Sequence, residues 1–185
     1  MRVFICGEPR TGKTTLCKKL KEKLSQFNLF VTEAFRNGFQ KMDEEHYREW
    51  GTKTSIQRVE QFPIFLKEFL QWNEELSQQN SLIDSALLPI QDALKIKKTN
   101  DLIICLGFGG KPKEEIFKTI HTYENEQDYT KNFADDYLLR LWGDIEANDI
   151  FNKNFCKENN LLYIDTSTNR DTAFDTVLQA ILSKV

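Results

Sequence analysis

The sequence predicts an α/β protein: a parallel sheet with helices over both faces. Three observations carry that expectation. Short apolar runs alternate with stretches whose apolar residues recur at helical spacing, so strands and helices take turns along the chain. A glycine-bearing loop separates the first apolar run from the first helical stretch. The 185 residues, 40% hydrophobic and 29% charged with 8 Gly and 4 Pro, suffice for a packed core without disulfides or a structural metal. Residues 1–185 are therefore read as a single domain.

Each element follows from its own pattern. Residues 3–6 are an apolar run ending at Gly7, the mark of a strand buried on both faces. Leu16, Leu20, Leu24 and Phe27 predict an amphipathic helix over about 13–27. Residues 29–35 read as a second strand, whereas 36–54 are polar and read as loop and short helix. Ile56, Val59, Phe62, Phe65, Phe69, Leu70 and Leu76 carry a long helical stripe, with a bend expected near Pro63, where one ladder hydrogen bond is lost. Residues 81–85 form a brief third strand; Leu87, Ile90 and Leu94 mark another helix. A buried fourth strand, 102–106, leads into Gly107-Phe108-Gly109-Gly110, and Pro112 fits the first turn of the next helix. The polar break 121–132 precedes a longer helix holding Leu138, Leu141 and Ile145. A fifth strand, 161–164, is followed by a helix with Phe174, Val177, Leu178, Ile181 and Leu182 on one stripe.

Charge and cysteine usage narrow the function classes. A net charge of -3 provides no global positive field for nucleic acid or an anionic membrane, so neither is expected as a partner. Cys6, Cys17, Cys105 and Cys156 are too scattered for a zinc knuckle or redox pair, and Cys6 and Cys105 read as buried thiols. No stretch resembles a signal peptide or a membrane span, which points to the cytoplasm. His46 and His121 stand apart from each other and from cysteine and read as exposed side chains.

The sharpest signal is Gly7-Glu8-Pro9-Arg10-Thr11-Gly12-Lys13-Thr14-Thr15, which matches the Walker A pattern between a strand and a helix. Glycines let successive N–H groups point inward, and the helix start adds further free N–H groups, so the loop suits phosphate. Gly7, Arg10, Thr11, Gly12, Lys13, Thr14 and Thr15 are the expected contacts to ATP; Lys13 reaches the outer phosphates and the Thr14 hydroxyl can coordinate Mg2+. Arg10 is unusual where small residues are common, and reads either as a phosphate or acceptor contact or as a solvated loop arginine.

With this loop the chain resembles the nucleoside and nucleotide kinases among P-loop proteins: adenylate kinase, thymidylate kinase, deoxynucleoside kinases and shikimate kinase. The resemblance spans the chain in layout and is sharp at residues 7–15; a third strand ending in Asp84, a glycine turn after the fourth and Asp165-Thr166-Ser167 after the fifth also look similar. The Asn-Lys-x-Asp motif of guanine readers and the Leu-Ser-Gly-Gly of transporter ATPases do not occur, and Asp84 is followed by Ser85 rather than Glu. The resemblance implies a three-layer P-loop NTPase fold with a five-stranded parallel sheet ordered 2-3-1-4-5. It also implies an acceptor-binding segment at about 36–78 and a mobile lid at about 107–140.

Roles follow for individual residues. Asp84, at a strand end, can hold a magnesium-bound water opposite Thr14, or else caps the helix near Leu87. Deoxynucleoside kinases carry a similar glutamate after strand two, which makes Glu33 the candidate base for the attacking hydroxyl, with Arg36 near the acceptor; the alternative is a solvated pair at a strand exit. Arg58 either faces the acceptor cleft or sits on the helix surface. Lys111, Lys113, Lys131 and Arg140 flank the polar break, and Arg140 is the lid arginine expected to offset charge on the transferring phosphoryl. Arg170 lies near where related kinases hold the adenine base and could stack there. The aromatic cluster from Phe62 to Trp72 reads as core, with one member available to the acceptor pocket.

Together these readings describe an ATP-dependent kinase acting on a nucleoside, nucleotide or similar small acceptor. The scarcity of arginine leans the choice toward a hydroxyl acceptor. The rival is an ATP-binding switch or slow ATPase acting through a protein partner, and a third reading is a binding domain without acceptor chemistry. The sequence leaves open the acceptor, GTP as donor, and a homodimer.

Overall fold

The structure, a computed structural model, describes residues 1–35, 55–123 and 135–184. Strands β1 (Arg2–Gly7), β2 (Phe27–Val31), β3 (Asn80–Asp84), β4 (Leu102–Gly107) and β5 (Leu162–Asp165) form one parallel sheet in the order β2-β3-β1-β4-β5. Helices α1 (Lys13–Lys23), α2 (Ser55–Ser77), α3 (Ile90–Ile96), α4 (Lys113–Thr122), α5 (Asp135–Glu158) and α6 (Arg170–Leu182) lie on both sides of it. Strand count and order are those expected. The described residues gather into two compact units, Met1–Cys6 with Lys13–Ile103, and Gly7–Gly12 with Ile104–Val185. Among the described residues, no helix is long and apolar enough to cross a membrane.

In the first unit, Val3, Phe4, Ile5 and Cys6 are wholly buried, as an apolar strand in a covered parallel sheet must be. β3 pairs with both neighbours in register, Ile5↔Asp84 and Val31↔Asp84, so the chain leaves three strands at one level. Helix α1 stops at Lys23, short of the expected 27, because Lys21 Nζ donates to the carbonyls of Ser25 and Phe27 (3.0 and 2.6 Å) and closes the helix end. Phe27 thereby opens β2 instead of continuing the helical stripe.

The expected strand at 29–35 is corrected in the same way: β2 spans Phe27–Val31, and 32–35 turn helical. A longer strand would outrun β3, which ends at Asp84. Buried Thr32 makes the turn, its hydroxyl accepting from Leu87 N at 3.1 Å. Helix α2 runs on through Pro63. Trp72, expected in the core, is 62% exposed; the aromatic packing instead joins Phe30, Phe35, Phe65 and Phe69 at centroid distances of 4.9–6.1 Å. Arg2, 1% exposed, is the largest polar side chain buried in this unit. Asp101 answers it with an ion pair and accepts from its backbone N (2.9 Å) and Nε (2.7 Å), while the Ile96 carbonyl accepts from Nη2 (2.8 Å).

In the second unit β4 and β5 align Ile104↔Leu162 through Gly107↔Asp165. Phe108, Ile116, Ile120, Trp142 and Ile145 form a buried cluster with Leu138 and Leu141 against it. Pro112 precedes α4 as its N-cap residue instead of entering the first turn. Helix α6 is capped by Asn169, whose side chain accepts from Thr172 N at 3.0 Å, and it buries Ala173, Phe174, Val177 and Ile181; Leu182 is 47% exposed. All four cysteines are buried and none forms a disulfide.

Candidate functional site

The Walker A residues make a tight loop between β1 and α1. Gly7 has φ 127° and Gly12 φ 89°, conformations open to glycine at little cost. Both also need the missing side chain. A Cβ on Gly7 would stand 2.9 Å from the Leu106 carbonyl carbon and closer still to its oxygen, and one on Gly12 would stand 3.0 Å from the Phe174 ring. Between them Thr11, wholly buried, turns the chain: its hydroxyl donates to the Glu8 carbonyl at 2.8 Å. The Glu8 carboxylate accepts from Asn152 Nδ2 on α5 at 2.8 Å. Arg10 is half-buried with φ 70°, and its carbonyl accepts from Arg170 Nη2 at 2.5 Å.

The first unit supplies the second group of residues. Lys13 is 8% exposed at the start of α1, and the Thr14 hydroxyl beside it donates to Asp84 Oδ2 at 2.6 Å. Asp84 Oδ1 is buried and meets no hydrogen-bond donor among the described residues. Burial pushes the Asp84 carboxyl above its ordinary range; the Thr14 hydrogen bond and then the Lys13 charge work against that push, and the Glu33 charge adds to it. Burial, and then the Asp84 charge, likewise push the Cys17 thiol up, while Lys13 pulls it down. The helix-cap alternative for Asp84 fails, since α3 begins at Ile90 behind Pro89. A buried carboxylate with an open oxygen and a hydroxyl at hydrogen-bond distance is a donor set that fits Mg2+ held through oxygen or water.

The other expected residues divide. Glu33 is exposed on the helical turn after β2, close enough for its charge to act on Asp84. Thr15 is exposed on α1 and Arg140 on α5; Lys111 pairs with Glu115 at 3.7 Å. Arg36, His46 and Lys131 lie outside the described residues, as does the Arg58 side chain on α2. Arg170, besides holding the Arg10 carbonyl, lays its guanidinium over the Tyr123 ring at 3.8 Å.

Sequence reasoning read the glycine turn after β4 but missed the residues that hold it. After β4, Asp149 of α5, 1% exposed, accepts from Phe108 N (3.0 Å), Gly110 N (2.8 Å) and the Tyr163 hydroxyl (2.8 Å), while Gly109 N donates to that hydroxyl (2.8 Å). Burial, and then the Asp149 charge, push the Tyr163 phenol far above its ordinary value, so it stays protonated and donates. No local pattern announces Asp149, whose partners in the loop lie some forty residues away in sequence.

A strand, a glycine loop with Lys13 and Thr14 opening a helix, and Asp84 ending the strand beside it in a 2-3-1-4-5 sheet decide the architecture. The fold is that of a P-loop NTPase. Solved structures with this P-loop fold agree. Deoxyadenosine kinase from M. mycoides with products dCMP and a flexible dCDP bound is 15% identical, covers 99% of this chain and 100% of its own, and has a TM-score of 0.57. The same kinase with bound dATP is 18% identical with a TM-score of 0.55 over 98% and 99% of the two chains. A protein of Chloroflexus aurantiacus described only provisionally as a kinase is 18% identical with a TM-score of 0.54 over 100% and 97%. At these identities the likeness is one of fold. No protein-family model and no curated protein matches the sequence.

Proposed function

We propose that this chain is an ATP-dependent kinase that transfers the γ-phosphoryl group to a small acceptor, with a nucleoside-type hydroxyl favoured over a phosphate. The observation that carries the reading is the Thr14 hydroxyl on the Asp84 carboxylate at 2.6 Å, next to buried Lys13, at the end of β3. Backbone N–H groups of the Gly7–Thr15 loop bind the phosphates, and Lys13 offsets charge on the outer ones. Thr14 and Asp84 would hold Mg2+, which when bound neutralises charge on the phosphate oxygens. Glu33 orients the acceptor hydroxyl and takes its proton as the oxygen bonds to phosphorus and the bridging oxygen leaves with ADP. Half-buried Phe35, Phe65 and Phe69 pack together, Phe35 edge-on to the stacked pair of Phe65 and Phe69, and offer apolar surface suited to a base. Arg36 and Arg58 are assigned to the acceptor side, Arg140 to the lid, and Arg170 to the nucleotide side.

The experiment is ADP release against a panel of nucleosides and nucleoside monophosphates. A nucleoside should accelerate ADP release; Lys13→Ala should lower turnover by about two or more orders of magnitude and leave the protein folded. Glu33→Gln should lower kcat far more than it weakens ATP binding. Release that answers only to a protein partner would replace the kinase with a switch. Activity on monophosphates alone, with Glu33→Gln unimpaired, would move the acceptor chemistry to a phosphate and attention to Arg36 and Arg58.

A further inference from the structure

We infer that Arg170 is a positioning residue that holds the phosphate-binding loop in shape through the Arg10 carbonyl, and thereby sets the affinity for a nucleoside triphosphate. The affinity part rests on the function proposed above; the tether does not.

Three non-glycine residues have positive φ among the described residues: Arg10, Gln78 and Asn160. Gln78 follows α2 and Asn160 follows α5, where helices commonly end on such a residue. Arg10 has no such excuse. It sits inside the loop, and an L-residue at φ 70° there disfavours that backbone by about five- to thirtyfold. Such a conformation persists only when its surroundings over-determine it.

Arg170 does so. Its Nη2 donates to the Arg10 carbonyl at 2.5 Å, a bond from a charged donor and hence stronger than a neutral one. The guanidinium is itself fixed, lying over the Tyr123 ring at 3.8 Å, and its residue opens α6 directly after the Asn169 cap. The Arg170 stem and the Phe174 ring also flank Gly12, so one helical turn braces two points of the loop. Without the guanidinium, Arg10 can relax to negative φ and rotate its neighbouring peptide groups away from the phosphate-binding arrangement. With glycine at position 10 there is nothing to relax, and the loop should depend far less on Arg170.

That dependence is a double-mutant cycle of Arg10→Gly and Arg170→Ala, read in two ways. In urea unfolding of the ligand-free protein, Arg170→Ala should lower the folding constant roughly tenfold with Arg10 present, and about threefold or less with glycine there. In binding of a non-hydrolysable ATP analogue with Mg2+, Arg170→Ala should raise Kd roughly tenfold with Arg10 and much less with glycine. Arg170→Lys, which keeps stem and charge, should fall between, and replaces the alanine variant if that does not fold. Equal losses in both backgrounds would overturn the tether and make Arg170 a direct ligand contact or a purely structural residue. A wild-type protein that binds no analogue would overturn the affinity part and the proposed function, while the unfolding cycle still decides the tether.

Discussion

Gly7→Ala tests how the loop is anchored. The added methyl would stand 2.9 Å from the Leu106 carbonyl carbon and amide nitrogen and nearer to the oxygen, at a backbone φ of 127°. Two costs arise. Forcing an L-residue into positive φ costs about 1–2 kcal/mol. Pushing a strand backbone aside to make room costs about 1–3 kcal/mol more, for a total of about 2–5 kcal/mol against a domain stability of about 5–15 kcal/mol. Gly110→Ala separates the two, because Gly110 has φ 75° but a Cβ there meets Lys153 Nζ at an ordinary 3.6 Å. It should lose only the first cost, about 1–2 kcal/mol. The assay is urea unfolding of both variants with unchanged m-values, followed by Mg-ATP binding, which Gly7→Ala should abolish. A Gly7→Ala loss no larger than that of Gly110→Ala would refute the close approach to β4 as the anchor of the loop.

Asp84→Asn should stabilise the ligand-free protein at neutral pH and weaken Mg-dependent ATP binding, measured by thermal shift with and without Mg-ATP. Because the folded carboxyl is raised above the unfolded one, near 3.8, its stabilising increment is present below that value and is lost as pH rises through the folded pKa. The Asn variant should therefore lack that slope. Asp101→Ala leaves buried Arg2 with only the longer pair to Glu74 at 3.5 Å and should cost about 3 kcal/mol in urea unfolding. Tyr163→Phe removes the acceptor of Gly109 N and a donor to Asp149, and should cost about 1–3 kcal/mol and speed amide exchange at Gly109.

What the sequence disclosed depended on how local the signal was. The buried strands and the loop at residues 7–15 are written in consecutive residues, and the fold follows them closely. Element ends were less legible because tertiary partners set them. Phe27 continues the helical stripe of α1 in sequence, yet the Lys21 ammonium ends that helix and β3 claims Phe27 as a strand residue. Glu33 looked like a strand end, but β2 stops with its partner at Asp84 and Thr32 turns the chain. Trp72 lies on an apolar stripe and still faces solvent, because Phe35, Phe65 and Phe69 fill the space beside Phe30. Arg170, Asn152 and Asp149 act on residues far away in sequence, and no spacing rule could have paired them with the loops they hold.

The first unit contains an internal control for the assignment of Asp84. It buries Asp84, Asp92 and Asp101 next to cations, and it treats Asp84 and Asp101 differently. Asp101 spends both oxygens: Oδ1 accepts from Arg2 N, and Oδ2 accepts from Arg2 Nε and Lys98 N. That is how a carboxylate serves a fold, with each lone-pair side occupied and the charge of Arg2 neutralised. Asp84 has one bond, from the Thr14 hydroxyl, and its second oxygen is buried without a donor among the described residues. A hydroxyl is a weak return for burying a carboxylate, and the upward push on the Asp84 carboxyl expresses the deficit. Removing the deficit would be simple, since asparagine keeps the shape without the charge. A site that bears it instead has a use for an ionised oxygen at that point, and the divalent cation of the function proposed above would supply that use.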